Sequence, residues 1–250
     1  MIQYKTEAEI AIMRANGRIL ARILREAGES IVPGKTTTQD LDDLIARLIQ
    51  EAGATASFYR YRDFPAHACI SVNEVVVHGI PSRDTVLREG DIVGIDAGVF
   101  KDGFHADSAR TFPVGKISEA TQKLLNVTKE SLNQGIAKAK VGNRIGDIAA
   151  AVQKYAESYG FGVVRALVGH GIGRSLHESP EVPNFGRPKT GPVLREGMTL
   201  AIEPMINQGT WKVEELQDGW TIVTGDRLPA AHYEHTVAIT KNGPEILTVE

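Results

Sequence analysis

Two copies of the segment Val-Leu-Arg-Glu-Gly constrain the fold of this chain more than any other feature. The copies occupy residues 86–90 and 193–197, and in each the sixth residue after the glycine is a carboxylate, Asp96 and then Glu203. The same offset of 107 positions relates two further pairs, Asp40 with Asp147 and Gly53 with Gly160. The repeat therefore predicts two half-domains that share one core and bring one acid each to a common site.

A chain of 250 residues is long enough for both halves to form one large domain. We predict a single functional domain over residues 1–250, with pseudo-repeat halves at about 1–115 and 116–250.

The composition is ordinary for a globular protein, with 42 % hydrophobic residues, 24 % charged residues and a formal net charge of −3. No basic run is dense enough for a polyanion, and no stretch approaches the roughly 20 apolar residues of a membrane span, so neither nucleic acid nor membrane is an expected partner. The first residues include Glu7 and lack an apolar signal core, so no targeting peptide is expected. The single cysteine, Cys69, excludes an internal disulfide, and the expected compartment is the reducing cytoplasm.

Hydrophobic periodicity predicts four helices in two pairs. The first pair covers about residues 6–28 and a segment that is capped by Thr37 or Thr38 and stops at Gly53; the second covers about 119–138 and 147–158. Short β-rich runs lie between and after these pairs, at residues 68–72, 75–78, 92–95, 199–202 and 236–239. This order predicts an α+β fold in which helices back a sheet.

A predicted hairpin places two acids side by side. Asp102-Gly103 is a strong two-residue turn signal, and this turn sets Asp107 opposite Gly98. Because side chains alternate along a strand, Asp96 and Asp107 become diagonal neighbours on one face, with space expected above Gly98. Such acids repel unless one is protonated or cations lie between them. Taken alone, an Asp pair is more often solvated on an exposed face, but the repeat favours a functional site here.

Two further acids have similar settings. Glu203 follows three apolar residues and precedes Pro204, and Glu234 stands at the start of the β-branched run around residues 235–239. Four converging carboxylates bring a formal charge of −4 into a partly desolvated site, which is too costly without compensation. Two divalent cations would cancel that charge.

Three histidines are candidates for the same site. His170 is flanked by glycines, which let the backbone approach a ligand closely, and imidazole commonly joins carboxylates around transition metals. A lone histidine in a glycine-rich loop is more often structural or solvated. His78 and His177 lie in short loops before prolines and are equally compatible with surface positions.

Together these segments resemble the type I methionine aminopeptidases, the short bacterial form among the pita-bread metallopeptidases of family M24. The resemblance covers essentially the whole chain. Its carriers are residues 71–81 (Ser-Val-Asn-Glu-Val-Val-Val-His-Gly-Ile-Pro), 96–107, 169–174 (Gly-His-Gly-Ile-Gly-Arg), 202–204 (Ile-Glu-Pro) and 233–236 (Tyr-Glu-His-Thr). It implies a pita-bread fold, in which two pseudo-symmetric halves have helices backing a curved, mainly antiparallel sheet.

The resemblance also implies a dinuclear metal site. Asp96 would chelate one divalent ion, Asp107 and Glu234 would bridge both, and His170 with Glu203 would complete the other. The ions would come from the set Co, Mn, Fe, Zn and Ni. A hydroxide shared by the two ions would be the nucleophile, and Glu203 would also shuttle its proton to the departing amine.

Further roles follow from the same resemblance. His177 would donate a hydrogen bond to the scissile carbonyl oxygen and stabilise the tetrahedral intermediate, and His78 would contact the substrate backbone and assist that step. Asn73 and Val75 match a backbone-bound monovalent cation site.

An apolar pocket is expected for the first side chain of the substrate. Soft and aromatic walls suit a flexible thioether. The candidates are Tyr61, Phe64, Cys69, Leu176 and Trp220, for which ordinary core packing is the alternative.

The implied function is removal of the initiator methionine from nascent polypeptides whose second residue is small. The alternatives are a proline-directed pita-bread peptidase, which normally carries a further N-terminal domain, and a non-catalytic pita-bread binding protein, which would have lost ligand positions. The five intact positions and the early first helix favour the methionine enzyme. Expected partners are nascent N-termini and, transiently, the ribosome; the expected state is a cytoplasmic monomer.

Overall fold

The computed structural model describes all 250 residues, Met1 to Glu250. Its four helices are α1 (Glu7–Glu29), α2 (Thr38–Glu51), α3 (Glu119–Ile136) and α4 (Ile145–Ser158). Its strands are β1 (Thr55–Ala56), β2 (Ala68–Val72), β3 (Val75–Val77), β4 (Ile92–Lys101), β5 (Phe104–Pro113), β6 (Gly162–Val163), β7 (Gly169–Gly171), β8 (Glu178–Val182), β9 (Thr199–Ile202), β10 (Met205–Asn207), β11 (Val213–Glu215), β12 (Ile222–Thr224), β13 (Ala230–His232), β14 (His235–Thr240) and β15 (Gly243–Ile246). The α+β prediction is confirmed.

The helices begin where side chains satisfy their free backbone N–H groups. Thr6 caps α1 and Thr37 caps α2, each in a reciprocal capping box with the acid three residues later. The predicted start of α4 is late by two residues, because Asp147 lies inside the first turn and its Oδ2 accepts the Arg144 N–H at 2.8 Å. None of the four helices is both long and apolar enough to cross a membrane.

All strand pairs are antiparallel and form four groups. Two of them carry most of the site: β4 lies between β1 and β2 and also pairs with β5, and a second group runs β15-β14-β9-β7-β8. The remaining groups are β13-β10-β6 and β11-β12-β3.

The predicted hairpin register is confirmed: Gly98 pairs with Asp107, and Asp96 pairs with Ala109. The prediction of free space above Gly98 is wrong. A Cβ at that position would lie 2.7 Å from the Cβ of Ser57, because the Ser57 N–H donates to the Gly98 carbonyl at 2.9 Å and brings its side chain onto the strand.

Two hydrophobic cores lie beneath the two helix pairs. One packs α1 and α2 against β2, β4 and β5 and includes Leu20, Leu41, Ile45, Leu87 and Ile95. The other packs α3 and α4 against strands β6, β8, β9, β10 and β13 and includes Leu124, Leu132, Ile148, Leu194 and Leu200. Each half therefore fixes its own strands against its own helices.

The repeated segments occupy equivalent places in the two halves. Val86 forms an isolated antiparallel bridge with Thr37, and Val193 forms one with Arg144, so both partners are related by the same offset. Gly90 and Gly197, which end the repeats, have positive φ angles of 96° and 87°. Each repeat thus connects the residue that precedes a helix, Thr37 or Arg144, with the segment that leads into β4 or β9.

Hydrogen bonds between residues 107–109 of β5 and residues 234–236 join the two halves beside the acids, and we call this set the polar seam. The Thr236 hydroxyl accepts the Asp107 N–H at 3.0 Å and donates to the Asp107 carbonyl at 2.8 Å. One step along, the Glu234 N–H donates to the Ala109 carbonyl at 2.9 Å, and the Ser108 hydroxyl donates to the Glu234 carbonyl at 2.7 Å. The seam thereby fixes the spacing of two acids that lie far apart in sequence.

Replacement of Thr236 should weaken the seam. Thr236→Val leaves the buried main-chain N–H and C=O of Asp107 without partners, so we expect the free energy of unfolding to fall by about 2–4 kcal/mol. Thr236→Ser keeps both hydrogen bonds and loses one methyl group, at a cost of about 1 kcal/mol. Urea unfolding followed by circular dichroism measures both changes. Equal losses for the two variants would contradict a role for the hydroxyl.

Candidate metal centre

Five predicted residues line one cleft with a volume of about 160 Å³. Each comes from a different strand or strand end: Asp96 in β4, Asp107 in β5, His170 in β7, Glu203 directly after β9 and Glu234 directly before β14. The two halves of the chain therefore meet at this cleft, as the repeat predicted.

The side chains form a compact set of oxygen and nitrogen atoms. The ligand atoms of Asp107, His170 and Glu234 all lie within 4.8 Å of one another. His170 Nε2 is 3.6 Å from Glu203 Oε1 and 3.9 Å from Asp107 Oδ2. These separations leave room for a cation between the atoms and are too long for direct hydrogen bonds.

Several of these oxygens are shielded from solvent and have no hydrogen-bond partner. They are Asp96 Oδ1, Asp107 Oδ1 and Glu234 Oε1. Buried polar atoms are nearly always satisfied in folded proteins, so three unsatisfied carboxylate oxygens around one cleft need a counter-charge. A divalent cation is the group that this donor set fits.

Burial dominates the acid–base properties of the cluster. Burial raises the pKa of Asp96 to about 7 and raises the pKa of Asp107, Glu203 and Glu234 well above the ordinary values, and the charges of neighbouring acids add to the last three shifts. Without cations the protein therefore resists ionisation of all four acids together.

His170 has the orientation of a metal ligand. Its Nδ1 donates a hydrogen bond to the Gly171 carbonyl at 2.8 Å, which leaves a lone pair on Nε2 directed at the acids. Burial lowers its pKa to about 4, so the ring is neutral near pH 7. Neutral imidazole with carboxylates is a donor set that suits several divalent transition metals.

His177 and His78 line the same cleft. The His177 ring packs on His170 with centroids 4.2 Å apart, and its Nδ1 lies 2.8 Å from the Tyr61 hydroxyl. If Tyr61 donates this hydrogen bond, Nε2 of His177 carries the proton and remains available as a donor. His78 meets Trp220 edge-on at 6.2 Å and has a positive φ of 58°.

The predicted pocket residues form an apolar wall beside the acids. All five line the cleft: Tyr61, Phe64, Cys69, Leu176 and Trp220. Phe64 and Trp220 are in edge contact at 5.0 Å. Phe58 and Arg62 line it as well and were missed, although they belong to the same aromatic stretch as Tyr61.

One buried residue beside the cluster was also missed. His232 is 4 % exposed, and its Nε2 lies 3.8 Å from Glu203 Oε2 and has no hydrogen-bond partner. Burial lowers its pKa to about 3. Its position two residues before Glu234 is the one sequence signal that pointed to it.

Asn73 and Val75 lie outside the cleft, in and after the turn between β2 and β3. The Asn73 side chain donates to Asp91 Oδ1 at 2.9 Å and accepts the Ile92 N–H at 3.0 Å, while its carbonyl accepts the Ala230 N–H at 2.9 Å. The turn is thereby fixed against β13.

The profile of metallopeptidase family M24 matches residues 11–241. The chain is 55 % identical to the methionine aminopeptidase of Clostridium perfringens over 249 residues, which cover 100 % of this chain and 99 % of that protein. It is 50 % identical to methionine aminopeptidase 1 of Bacillus subtilis over 248 residues, 99 % of each chain.

A crystal structure of the methionine aminopeptidase from Thermotoga maritima superposes with a TM-score of 0.98 at 46 % identity, over 100 % of both chains. This chain therefore belongs to the methionine aminopeptidases of metallopeptidase family M24. The predicted resemblance and the pita-bread fold are both confirmed.

Asp96→Asn should stabilise the metal-free protein at high pH. The folded-state pKa of Asp96 is raised to about 7, above an unfolded value of about 3.9, so the wild type loses stability as pH rises through that window. The asparagine variant lacks this loss. We expect it to be more stable than the wild type by up to about 4 kcal/mol at pH 8, with a difference that shrinks towards pH 4.

Urea unfolding with a chelator at pH 4.5, 6 and 8 measures this difference. Asp102→Asn, in the exposed hairpin turn, is the matched control and should behave like the wild type at each pH. A stability difference for Asp96→Asn that does not vary with pH would contradict the assignment.

Proposed function

We propose that this chain hydrolyses the peptide bond after the N-terminal methionine of nascent proteins and peptides whose second residue is small. The observation that carries the proposal is the cleft itself, where an apolar wall with aromatic side chains and one thiol adjoins four buried or half-buried acids and a buried histidine. Relatives that are named methionine aminopeptidases match this chain end to end, which favours this reading over a proline-directed peptidase or a non-catalytic binding protein.

We propose two divalent ions, from among Co, Mn, Fe, Zn and Ni, as the cofactor. Asp96 would hold one ion, His170 and Glu203 the other, and Asp107 with Glu234 would contact both. When bound, such ions polarise the scissile carbonyl and lower the pKa of a water in the site. The unpaired oxygens of Asp96, Asp107 and Glu234 support this assignment.

The remaining acid–base work falls to residues of the chain. In this proposal Glu203 accepts the proton of the attacking water and delivers it to the departing amine. His177 donates through Nε2 to the carbonyl oxygen as negative charge develops there. His78 contacts the substrate backbone from its position in the cleft beside Trp220.

The substrate would enter with its methionine side chain against the apolar wall. A thioether packs well on aromatic edges and on sulfur, and the wall offers the buried rings and thiol of Phe64 and Cys69 together with Leu176, Tyr61 and Trp220. Burial raises the pKa of Cys69, so this thiol remains protonated and apolar. The free α-amine of the substrate would lie on the acid side.

We further propose that residues 1–250 act as one catalytic domain, as a monomer in the cytoplasm, on N-termini emerging from the ribosome. The main-chain carbonyls of Asn73 and Val75 are proposed to bind a monovalent cation, and the hydrogen bonds that fix the Asn73 turn support a rigid site there.

A peptide panel tests the proposed reaction. Protein stripped of metal and reloaded with Mn, Co, Fe or Zn is expected to cleave Met-Ala-Ser, with much slower cleavage of Leu-Ala-Ser and Ala-Pro-Ala, because the pocket suits an unbranched thioether. Release of the first amino acid by chromatography measures this. Preference for the proline peptide, or turnover that a chelator does not change, would overturn the proposal.

His177→Ala is expected to lower kcat by about 10²-fold, as for loss of an oxyanion donor, with unchanged metal content. Tyr61→Phe keeps the imidazole and removes only the hydroxyl at Nδ1, so it should lower kcat by about tenfold or less. Steady-state kinetics with Met-Ala-Ser and metal analysis measure both variants. Loss of bound metal in His177→Ala would reassign this histidine as a ligand.

A further inference from the structure

Glu203 lies between two imidazoles. One carboxylate oxygen, Oε1, is 3.6 Å from His170 Nε2, and the other, Oε2, is 3.8 Å from His232 Nε2. His170 and His232 therefore approach different oxygens of the same carboxylate. Of these two histidines, His170 lines the cleft and His232 does not.

The main chain on both sides is fixed. The Asn184 side-chain amide donates to the Glu203 carbonyl at 2.9 Å. The His232 N–H donates to Thr111 Oγ1 at 3.0 Å, and the Thr111 hydroxyl donates to the His232 carbonyl at 2.8 Å. With both backbones held, the orientation of the Glu203 carboxylate depends on what its own oxygens contact.

The Nε2 atom of His232 has no hydrogen-bond partner and is shielded from solvent. An unsatisfied buried polar atom destabilises a fold, so a contact with Glu203 would be favourable. His170 differs, because its Nδ1–H donates to the Gly171 carbonyl and its Nε2 therefore carries a lone pair instead of a proton. Nothing on the cleft side competes with Glu203 for the Nε2 of His232.

We propose that His232 is a positioning residue whose Nε2–H donates a hydrogen bond to Oε2 of Glu203, which keeps Oε1 directed at the metal side of the cleft. The separation of 3.8 Å closes to hydrogen-bond length by rotation of the terminal torsion of Glu203, a soft sp³–sp² torsion. The consequence for proton transfer rests on the proposed function of Glu203; the consequence for metal binding does not.

Outer hydrogen bonds to metal-binding carboxylates set both their orientation and the affinity of the site. His232→Leu removes the donor, and His232→Gln keeps an amide donor near the position of Nε2. Titration of Mn²⁺ into metal-stripped protein should show a dissociation constant about tenfold higher for His232→Leu and within about threefold of wild type for His232→Gln.

Kinetics with Met-Ala-Ser at saturating Mn²⁺ should show a kcat about tenfold lower for His232→Leu, with KM changed by less than about threefold and kcat restored by His232→Gln. Equal impairment of both variants, or wild-type behaviour of His232→Leu, would overturn the proposal. In the Glu203→Ala background, which has no side-chain oxygen to accept from His232, His232→Leu should have no further effect on the Mn²⁺ dissociation constant.

If His232→Leu does not fold, the tautomer of His232 in the wild-type protein still tests the proposal. Imidazole ¹⁵N NMR of the Zn²⁺-loaded protein should show the His232 proton on Nε2, and Glu203→Gln should shift that resonance. A proton on Nδ1 would contradict the proposal. If the wild type fails to cleave Met-Ala-Ser, the proposed function falls, whereas the Mn²⁺ and NMR results still decide the role of His232.

Discussion

The concentration of negative charge in one desolvated cleft is the constraint on which the rest of the structure depends. Burial raises the pKa of all four acids, and mutual repulsion adds to three of the shifts. A fold that carries such a cluster loses stability unless a cation compensates the charge. The hydrogen bonds of Thr236 and Ser108 hold two of these acids, Asp107 and Glu234, at a fixed distance.

The duplicated architecture explains how the acids come together. The two repeats end in glycines with similar positive φ angles, and each leads into a strand that carries a cleft acid within it or directly after it. The two halves differ at the acids, because Asp96 and Glu203 have different positions relative to their strands. Asp96 lies in the middle of β4 and is held by a hairpin, whereas Glu203 follows the last residue of β9 and precedes Pro204. A longer side chain at a strand end has more freedom to move a proton than a short one inside a strand.

Much of this arrangement could be predicted from sequence because it is encoded locally. The Asp102-Gly103 turn fixed the hairpin register to the residue, and the offset of the repeat paired Asp96 with Glu203. Contacts between distant segments could not be read in this way. The packing of Ser57 on Gly98 depends on a strand of two residues with no alternating pattern, and His232 approaches Glu203 only because β13 pairs with β10.

His170, His177 and His232 differ in the partners of their ring nitrogens, and this difference assigns their chemistry. In His170 a carbonyl oxygen at Nδ1 requires a lone pair at Nε2, which suits a cation. In His177 the partner at Nδ1 is the hydroxyl of Tyr61, which can donate as well as accept and so permits a proton on Nε2, which suits an oxyanion. In His232 the unpaired nitrogen faces a carboxylate. One residue type can thus provide a ligand, a donor to the substrate and a positioning contact, because its neighbours decide which ring nitrogen carries the proton and what the other nitrogen contacts.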